Sequence, residues 1–313
     1  MPRIIKKSSP LPLSVEQFNK RKDRILIYRQ YGGLGDMLMM RMIFEDFKNI
    51  YPKNKLYFAC PSSLIDSVID HPFLDGIFDF EFVDRNDFYT YDVSHACTRY
   101  EIYKGSNADK HRSDIWAESC GIELTNHNMH ISLSNNEVEF GKNKLKEFDN
   151  GKPFVIFSPI SAMESKNLQE NHIIEIIKNL KEDYNIIGLH KNEIKILTNL
   201  NIPTISNLNI REWMGVIYNS NYVLCVDTST FHFAGGICKP TLGVFTWADG
   251  DVYGKYYKKC KIFQKRKRGE DFACPCYRFS SCPLSKEALK PCLTEIKGIE
   301  IVEEFKKMVE NNK

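Results

Sequence analysis

YVLCVDTSTFHFAGGICKPTLGVF, residues 222–245, reads as strand, turn, helix and strand. An apolar, β-branched run over 222–226 is followed by the polar knuckle Asp227, Thr228, Ser229 and Thr230, a small-residue helix over 231–236, and a second apolar run after Pro240. In an open parallel sheet, ligands lie beyond the carboxyl ends of the strands, which is where Asp227, Thr228 and Ser229 fall. Hydroxyls and backbone N–H groups at a helix start form a phosphate cradle. The same residues would also serve simply as a helix cap, a position that favours Ser and Thr.

A second stretch has the same logic. Residues 24–30 form a short apolar strand, Tyr31, Gly32, Gly33, Leu34, Gly35 and Asp36 follow, and over 37–50 Leu38, Met42, Ile43, Phe47 and Ile50 recur at helical spacing. Two such units predict an α/β protein of two domains, their parallel sheets facing a central cleft. A dinucleotide fingerprint needs three spaced glycines and an acid at the end of the second strand. Here the glycines are crowded together and the second strand ends in Ala59, Cys60 and Pro61, which argues against a redox enzyme. Asp36 then has two readings. It is a first-turn acid stabilised by the helix dipole, or a carboxylate facing the cleft, set to take a proton from an incoming hydroxyl.

At 313 residues, two domains with a core each are expected. A net charge of +3, from 43 basic and 40 acidic side chains, demands neither nucleic acid nor a membrane as partner. No run approaches the roughly 20 apolar residues of a membrane-spanning helix, and the Pro-containing start lacks a signal peptide's apolar core. A cytoplasmic protein is expected. Residues 1–23 read as an extended arm and 24–150 as the first domain, with strands at 55–60, 77–83, 91–97 and 129–133 and helices at 62–69, 111–120 and 137–148. Asp149-Asn150-Gly151-Lys152-Pro153 is turn chemistry and marks the boundary. The second domain, 151–298, has strands at 154–158 and 185–189 and helices at 171–180, 192–200 and 211–219 before the opening stretch, and a helix over 299–310 closes the chain within a terminal segment, 299–313.

Ten cysteines in a cytosolic chain suit reduced thiols or metal ligands better than a disulfide framework. Cys274, Cys276, Cys282 and Cys292, with one, five and nine residues between them, lie in the Cys-rich segment 260–292 and would suit a structural zinc or iron, with Cys260 a spare ligand. The spacing is not the common C-x₂-C, so buried thiols are the other reading. Cys60, Cys97, Cys120, Cys225 and Cys238 read as core residues. Lys265, Arg266, Lys267 and Arg268 form either a solvated loop or an attractor for phosphate.

YGGLGDMLMMR near the start, HRSDIWAESCGI, SPISAMESKNL, VDTSTFHFAGG and KPTLGVF occur in an order that resembles glycosyltransferase family 9, the heptosyltransferase-type enzymes. The likeness spans scattered blocks from 24 to about 296. It implies the GT-B fold of two Rossmann-like domains, the first for the acceptor and the second for the nucleotide-sugar. It implies an inverting transfer of a heptose-like sugar from a nucleoside-diphosphate donor, such as an ADP-heptose-like molecule. The acceptor would be a hydroxyl on a glycan, lipopolysaccharide core, protein or modified base, with no organic cofactor. By the same likeness Asp36 is the general base, Gly33 and Gly35 let the loop approach the sugar, and Lys166, after Ser165, faces the diphosphate. Asp227, Thr228, Ser229 and His232 match a D-[ST]-[GS]-x-x-H pattern that holds the donor phosphates. Some relatives that modify proteins hold iron near the cysteine segment. The chain departs from the family at Thr230 and Phe231, where a small residue is usual, and at Asn167-Leu168 in place of Trp-Pro. The rival readings are a GT-B nucleotide-sugar epimerase or hydrolase, and a metal-bearing nucleic-acid-binding protein using the basic run.

Overall fold

Strands covered on both faces are apolar at consecutive positions, and the runs LYFAC and FVIFS lie in the interior of two sheets in the computed structural model of the chain. The structure describes residues 3–4, 23–268, 274–277, 282 and 290–312. The expected arm over 1–23 falls outside these residues apart from 3–4 and 23. Two compact units divide the chain, Met1–Tyr100 with Lys110–Ser132, and Glu101–Asp109 with Leu133–Lys313.

In the first unit, strands β1 (Arg3–Ile4), β2 (Arg24–Tyr28), β3 (Lys55–Cys60), β4 (Gly76–Asp79) and β5 (Tyr89–Asp92) make a parallel sheet in the order β1-β4-β3-β2-β5. Alternation along β2 divides the core. Ile25 and Ile27 join the larger cluster with Met37, Ile43, Phe44 and Trp116, whereas Leu26 and Tyr28 meet Tyr57, Phe78 and Phe88 on the other face. In the second unit, β6 (Phe154–Ser158), β7 (Asn185–Leu189), β8 (Thr204–Ile205), β9 (Tyr222–Val226), β10 (Thr241–Phe245) and β11 (Cys260–Gln264) run parallel in the order β11-β10-β9-β6-β7-β8. The chain winds outward from β6 to β8, returns to β9 beside β6, and winds out the other way. The order therefore reverses between β6 and β9, and in the first sheet between β2 and β5.

Several expected elements change. The strand expected over 91–97 is β5, ended where Asp92 Oδ1 accepts the Ser94 N–H at 3.0 Å; a helix, Ala96–Lys104, follows. Residues 129–133 form no strand. Their carbonyls belong to Arg41, whose Nε donates to Met129 O at 2.7 Å and Nη2 to His130 O at 2.6 Å. Arg41 also donates to Ser67 O and to both Asp70 oxygens, so all five of its N–H groups are used inside the unit. A 3₁₀ turn at Arg41–Ile43, carrying that buried side chain, breaks the expected single helix into Leu34–Met40 and Phe44–Ile50. β11 was hidden in the sequence because CKIFQ is an edge strand, mostly half-buried and polar at two of five positions.

The helix Asn135–Lys146 lies in the second unit, against Ile210–Asn219. The two backbones cross so closely that a Cβ at Gly141 would stand 2.0 Å from Gly215 O, and Arg211 grips Glu137 with bonds of 2.8 and 2.9 Å. The last helix, Gly298–Glu310, buries Ile301, Phe305 and Met308 with Ile173, Ile176 and Ile177 of Glu170–Leu180.

Candidate active site

Each sheet carries a polar cluster where its strand order reverses, which is where doubly wound sheets bind ligands. In the first unit the chain leaves β2 at Tyr28, passes through Arg29 and the loop Tyr31–Gly33, and enters the helix Leu34–Met40 with Asp36 in its first turn. The loop is tied to the end of β5, since Gln30 N–H donates to Ser94 Oγ at 3.0 Å. Gly32 is the residue whose missing Cβ the loop needs. Its φ is +130°, and a Cβ there would meet Arg29 Nη2 at 2.8 Å. Gly33 precedes the helix with open space around it, and Gly35 lies within the helix.

Asp36 reaches back to the Gly33 N–H, which donates to Oδ2 at 2.9 Å, so the first-turn role is realised. It does more than cap. Arg112 Nη1 lies 2.6 Å from Oδ1 and Arg29 Nη2 3.6 Å from Oδ2. Burial alone would raise the carboxyl pKa, but Arg112, then Arg29 and the Gly33 bond, outweigh it and lower it to about 2. Arg29 in turn lies 4.5 Å over the Trp116 ring.

In the second unit, Ser165 and Lys166 come from a 3₁₀ turn, Glu164–Lys166, in the loop after β6. That loop is closed on itself by Leu168 N–H to Pro159 O at 2.9 Å and Ser161 N–H to Asn167 Oδ1 at 2.7 Å. Lys166 Nζ pairs with Asp227 Oδ2 at 2.9 Å and lies 4.8 Å from the Trp247 ring centre. Trp247 Nε1 donates to the same oxygen at 3.2 Å. His232 Nε2 is 3.7 Å from Asp227 Oδ1, and its Nδ1 is 3.0 Å from the Tyr257 hydroxyl. Burial opposes ionisation of Asp227, but Lys166 and then His232 more than compensate and hold its carboxyl well below the usual range. Thr228 caps the helix Ser229–Gly236, its side chain accepting the Thr230 N–H at 3.0 Å, and Ser229 opens that helix. Ser165 Oγ is buried with no hydrogen-bond partner among the described residues. Lys166, Asp227 and His232 thus form one cluster, with Thr228 and Ser229 beside it in the chain. Thr230 and Phe231 are buried: Thr230 bonds Ser158 Oγ at 3.2 Å, and Phe231 packs edge-on against Phe245.

Arg29, Arg112, Trp247 and Tyr257 were not foreseen. A buried carboxylate needs a cation, and that requirement is the signal that could have prompted a search for Arg112 and Arg29.

Among the described residues no cysteine is paired in a disulfide. Cys292 is pushed up to about 12 by burial and by the nearby Cys274, Cys276 and Cys282, so the four share one neighbourhood. Among the described residues, however, no three His, Cys, Asp or Glu side chains are grouped as metal ligands. Cys260 lies on β11 with Thr241 and Cys238 as its neighbours. Cys238 is exposed in a turn at φ +55°, not in the core, whereas Cys60, Cys97, Cys120 and Cys225 are buried as expected. The basic run is engaged with acids: Lys265 with Glu300 at 2.7 Å, Arg266 with Glu295, Lys267 with Asp251 at 3.6 Å and Arg268 with Asp249 at 3.3 Å.

Two Rossmann-like units of parallel strands, each with its polar cluster at the switch point, make up the GT-B fold. The model of glycosyltransferase family 9 (heptosyltransferase) matches residues 96–277, and the chain belongs to this family. No curated protein matches its sequence. Among solved structures, the ADP-heptose lps heptosyltransferase II of E. coli superposes with a TM-score of 0.62 at 12% identity, covering 92% of this chain and 99% of that one. A family 9 glycosyltransferase from Veillonella parvula DSM 2008 gives 0.68 at 10%, covering 94% and 99%. The iron-containing dodecameric glycosyltransferase TibC from enterotoxigenic E. coli H10407 gives 0.68 at 15%, covering 94% and 78%. These likenesses concern the fold. Among the described residues no helix is long and apolar enough to cross a membrane.

Proposed function

We propose that this chain is an inverting glycosyltransferase that moves a heptose-like sugar from a nucleoside-diphosphate donor to a hydroxyl acceptor, with Asp36 as general base. The observation that carries this reading is the pair of charged clusters at the two switch points, one built around a carboxylate and the other around a lysine. The first unit then takes the acceptor and the second the donor. The acceptor oxygen forms the new bond to the anomeric carbon, its proton passes to Asp36, and the bond from that carbon to the diphosphate breaks with its electron pair left on the phosphate oxygen.

Lys166, the Ser229 hydroxyl and the N-terminal N–H groups of the helix Ser229–Gly236 offset the charge growing on the leaving diphosphate. Asp227 orients Lys166 and His232 more than it touches phosphate, since its oxygens already face Lys166, Trp247 and His232. The low pKa of Asp36 suits a base that accepts its proton late, once the forming bond to the sugar has made the hydroxyl acidic. The donor, by analogy with the E. coli enzyme named for ADP-heptose, is an ADP-sugar. Engagement of the basic run with carboxylates weighs against a nucleic-acid partner.

Asp36→Ala should lower kcat by about 10²- to 10⁴-fold, the usual worth of a general base, while donor affinity stays near wild type; the variant should also unfold at lower urea, because Arg112 and the buried Arg29 lose their counter-charge. Wild-type turnover by that variant sinks the mechanism. Product analysis with and without acceptor separates transfer from hydrolysis or epimerisation of the donor.

Cys274, Cys276, Cys282 and Cys292 are proposed to hold a structural iron or zinc. Support comes from the chemistry of the donor set, four thiols of which Cys292 lies near the other three. The described residues do not form a ligand shell, so no step of the transfer is assigned to a metal.

A further inference from the structure

We propose that Arg112 is a positioning residue for the transfer: its guanidinium fixes the Asp36 carboxylate in one orientation and in its charged form, with Arg29 as a second, more distant cation. The proposal rests on Asp36 being the base.

Two elements grip the carboxylate, one on each oxygen. Arg112 opens the helix Arg112–Ser119, whose first turn is set by the preceding His111 accepting the Ser113 N–H at 3.2 Å, and its Nη1 lies 2.6 Å from Asp36 Oδ1. The Gly33 N–H holds Oδ2 at 2.9 Å from the loop. Rotating the carboxylate would break one bond or the other. Its two oxygens offer about four lone-pair sites in all, so room remains for a substrate hydroxyl.

Arg29 acts differently. It is 5% exposed, stacked on Trp116, and its Nε and Nη1 have no hydrogen-bond partner among the described residues. Its Nη2, 3.6 Å from Oδ2, is too far for a short bond, so it contributes charge more than orientation. The charged groups that face Asp36 are therefore Arg112 from its helix and Arg29 from the end of β2, with the Gly33 N–H adding to them. Removing Arg112 leaves burial opposed only by Arg29 and the Gly33 bond, which moves the balance toward the protonated acid. A protonated Asp36 cannot accept the acceptor's proton, and one free to rotate seldom meets it.

The test uses the full chain with Arg112→Gln and Arg112→Lys, and Asp36→Asn to assign the Asp36 signal by its loss. The first readout is a ¹³C-carboxyl NMR titration, which needs no substrate. In the wild type the Asp36 signal should stay that of a carboxylate to the lowest pH at which the protein is folded. In Arg112→Gln its midpoint should rise to about 4 or above, the ordinary carboxylate value or higher. The second readout is steady-state transfer from an ADP-sugar. For Arg112→Gln, kcat should fall about 10- to 100-fold, the donor KM should stay put, and the acid limb of the pH–rate profile should move upward. Arg112→Lys should restore the midpoint and part of kcat. An unmoved midpoint in Arg112→Gln overturns the proposal, as does wild-type kcat in that variant. Wild-type turnover by Asp36→Asn overturns instead the base reading on which it rests, and the titration still reports the ion pair separately.

Discussion

Asp227 is 3% exposed and carries a full charge, a state that burial would forbid without Lys166 at 2.9 Å and the Trp247 N–H at 3.2 Å. Breaking a buried pair by removing one partner costs about 3–5 kcal/mol, because the other charge is left uncompensated. Asp227→Asn should lose that order of stability at pH 7 in urea unfolding. The pH dependence has a definite sign. The folded-state pKa of Asp227 is depressed, so its stabilisation is complete above the unfolded carboxylate value and fades as the pH falls below it. The gap between variant and wild type should then narrow on acidification below about pH 4, and a gap constant from pH 7 to pH 3 refutes the assignment. At this scale Asp36, Lys166, Asp227 and His232 were legible in the sequence, because each sits in a short pattern. Their partners were not: Arg112 lies 76 positions from Asp36 and Trp247 lies 20 from Asp227, and no local pattern records a charge balance made across the fold.

Strands and helices place these residues, and the strand ends β2 and β6 matter most because the sheet order reverses beside each. The crossing of Asn135–Lys146 over Ile210–Asn219 brings two helix backbones into direct contact in the second unit. A methyl group at Gly141 would collide with backbone, at 2.0 Å from Gly215 O, which cannot swing aside as a side chain can. Gly141→Ala should cost at least the 1–3 kcal/mol typical of overpacking, read as a lower urea midpoint with the slope unchanged. A variant as stable as wild type would show that the helices separate freely. The turn at 149–153 looked like the domain boundary, yet the helix before it belongs to the second unit. Turn chemistry marks where the chain bends; the glycine contact and the Arg211–Glu137 fork decide which core a helix joins.

For the molecule as a whole, the Cys-rich segment offers the sharpest test. Protein purified without chelator should carry about one iron or zinc per chain, and stripping it should lower Tm, because a metal bound only by the folded state adds its binding energy to stability. Content far below one per chain, or an unchanged Tm on stripping, removes the metal proposal. Within the described residues, the sequence by itself determined the alternation of strand and helix, the two sheets and the polar loops at their mouths. Each of those follows from hydrophobic period and turn chemistry, which act over a few neighbours. Only the tertiary structure decided that Arg41 would take the carbonyls of 129 and 130 from an expected strand, that β11 would add an edge, and that Arg112 and Arg29 would close on Asp36. Those outcomes are settled by which buried charge or open edge remains unmatched when the chain is packed, a quantity that exists only once distant segments share one interior.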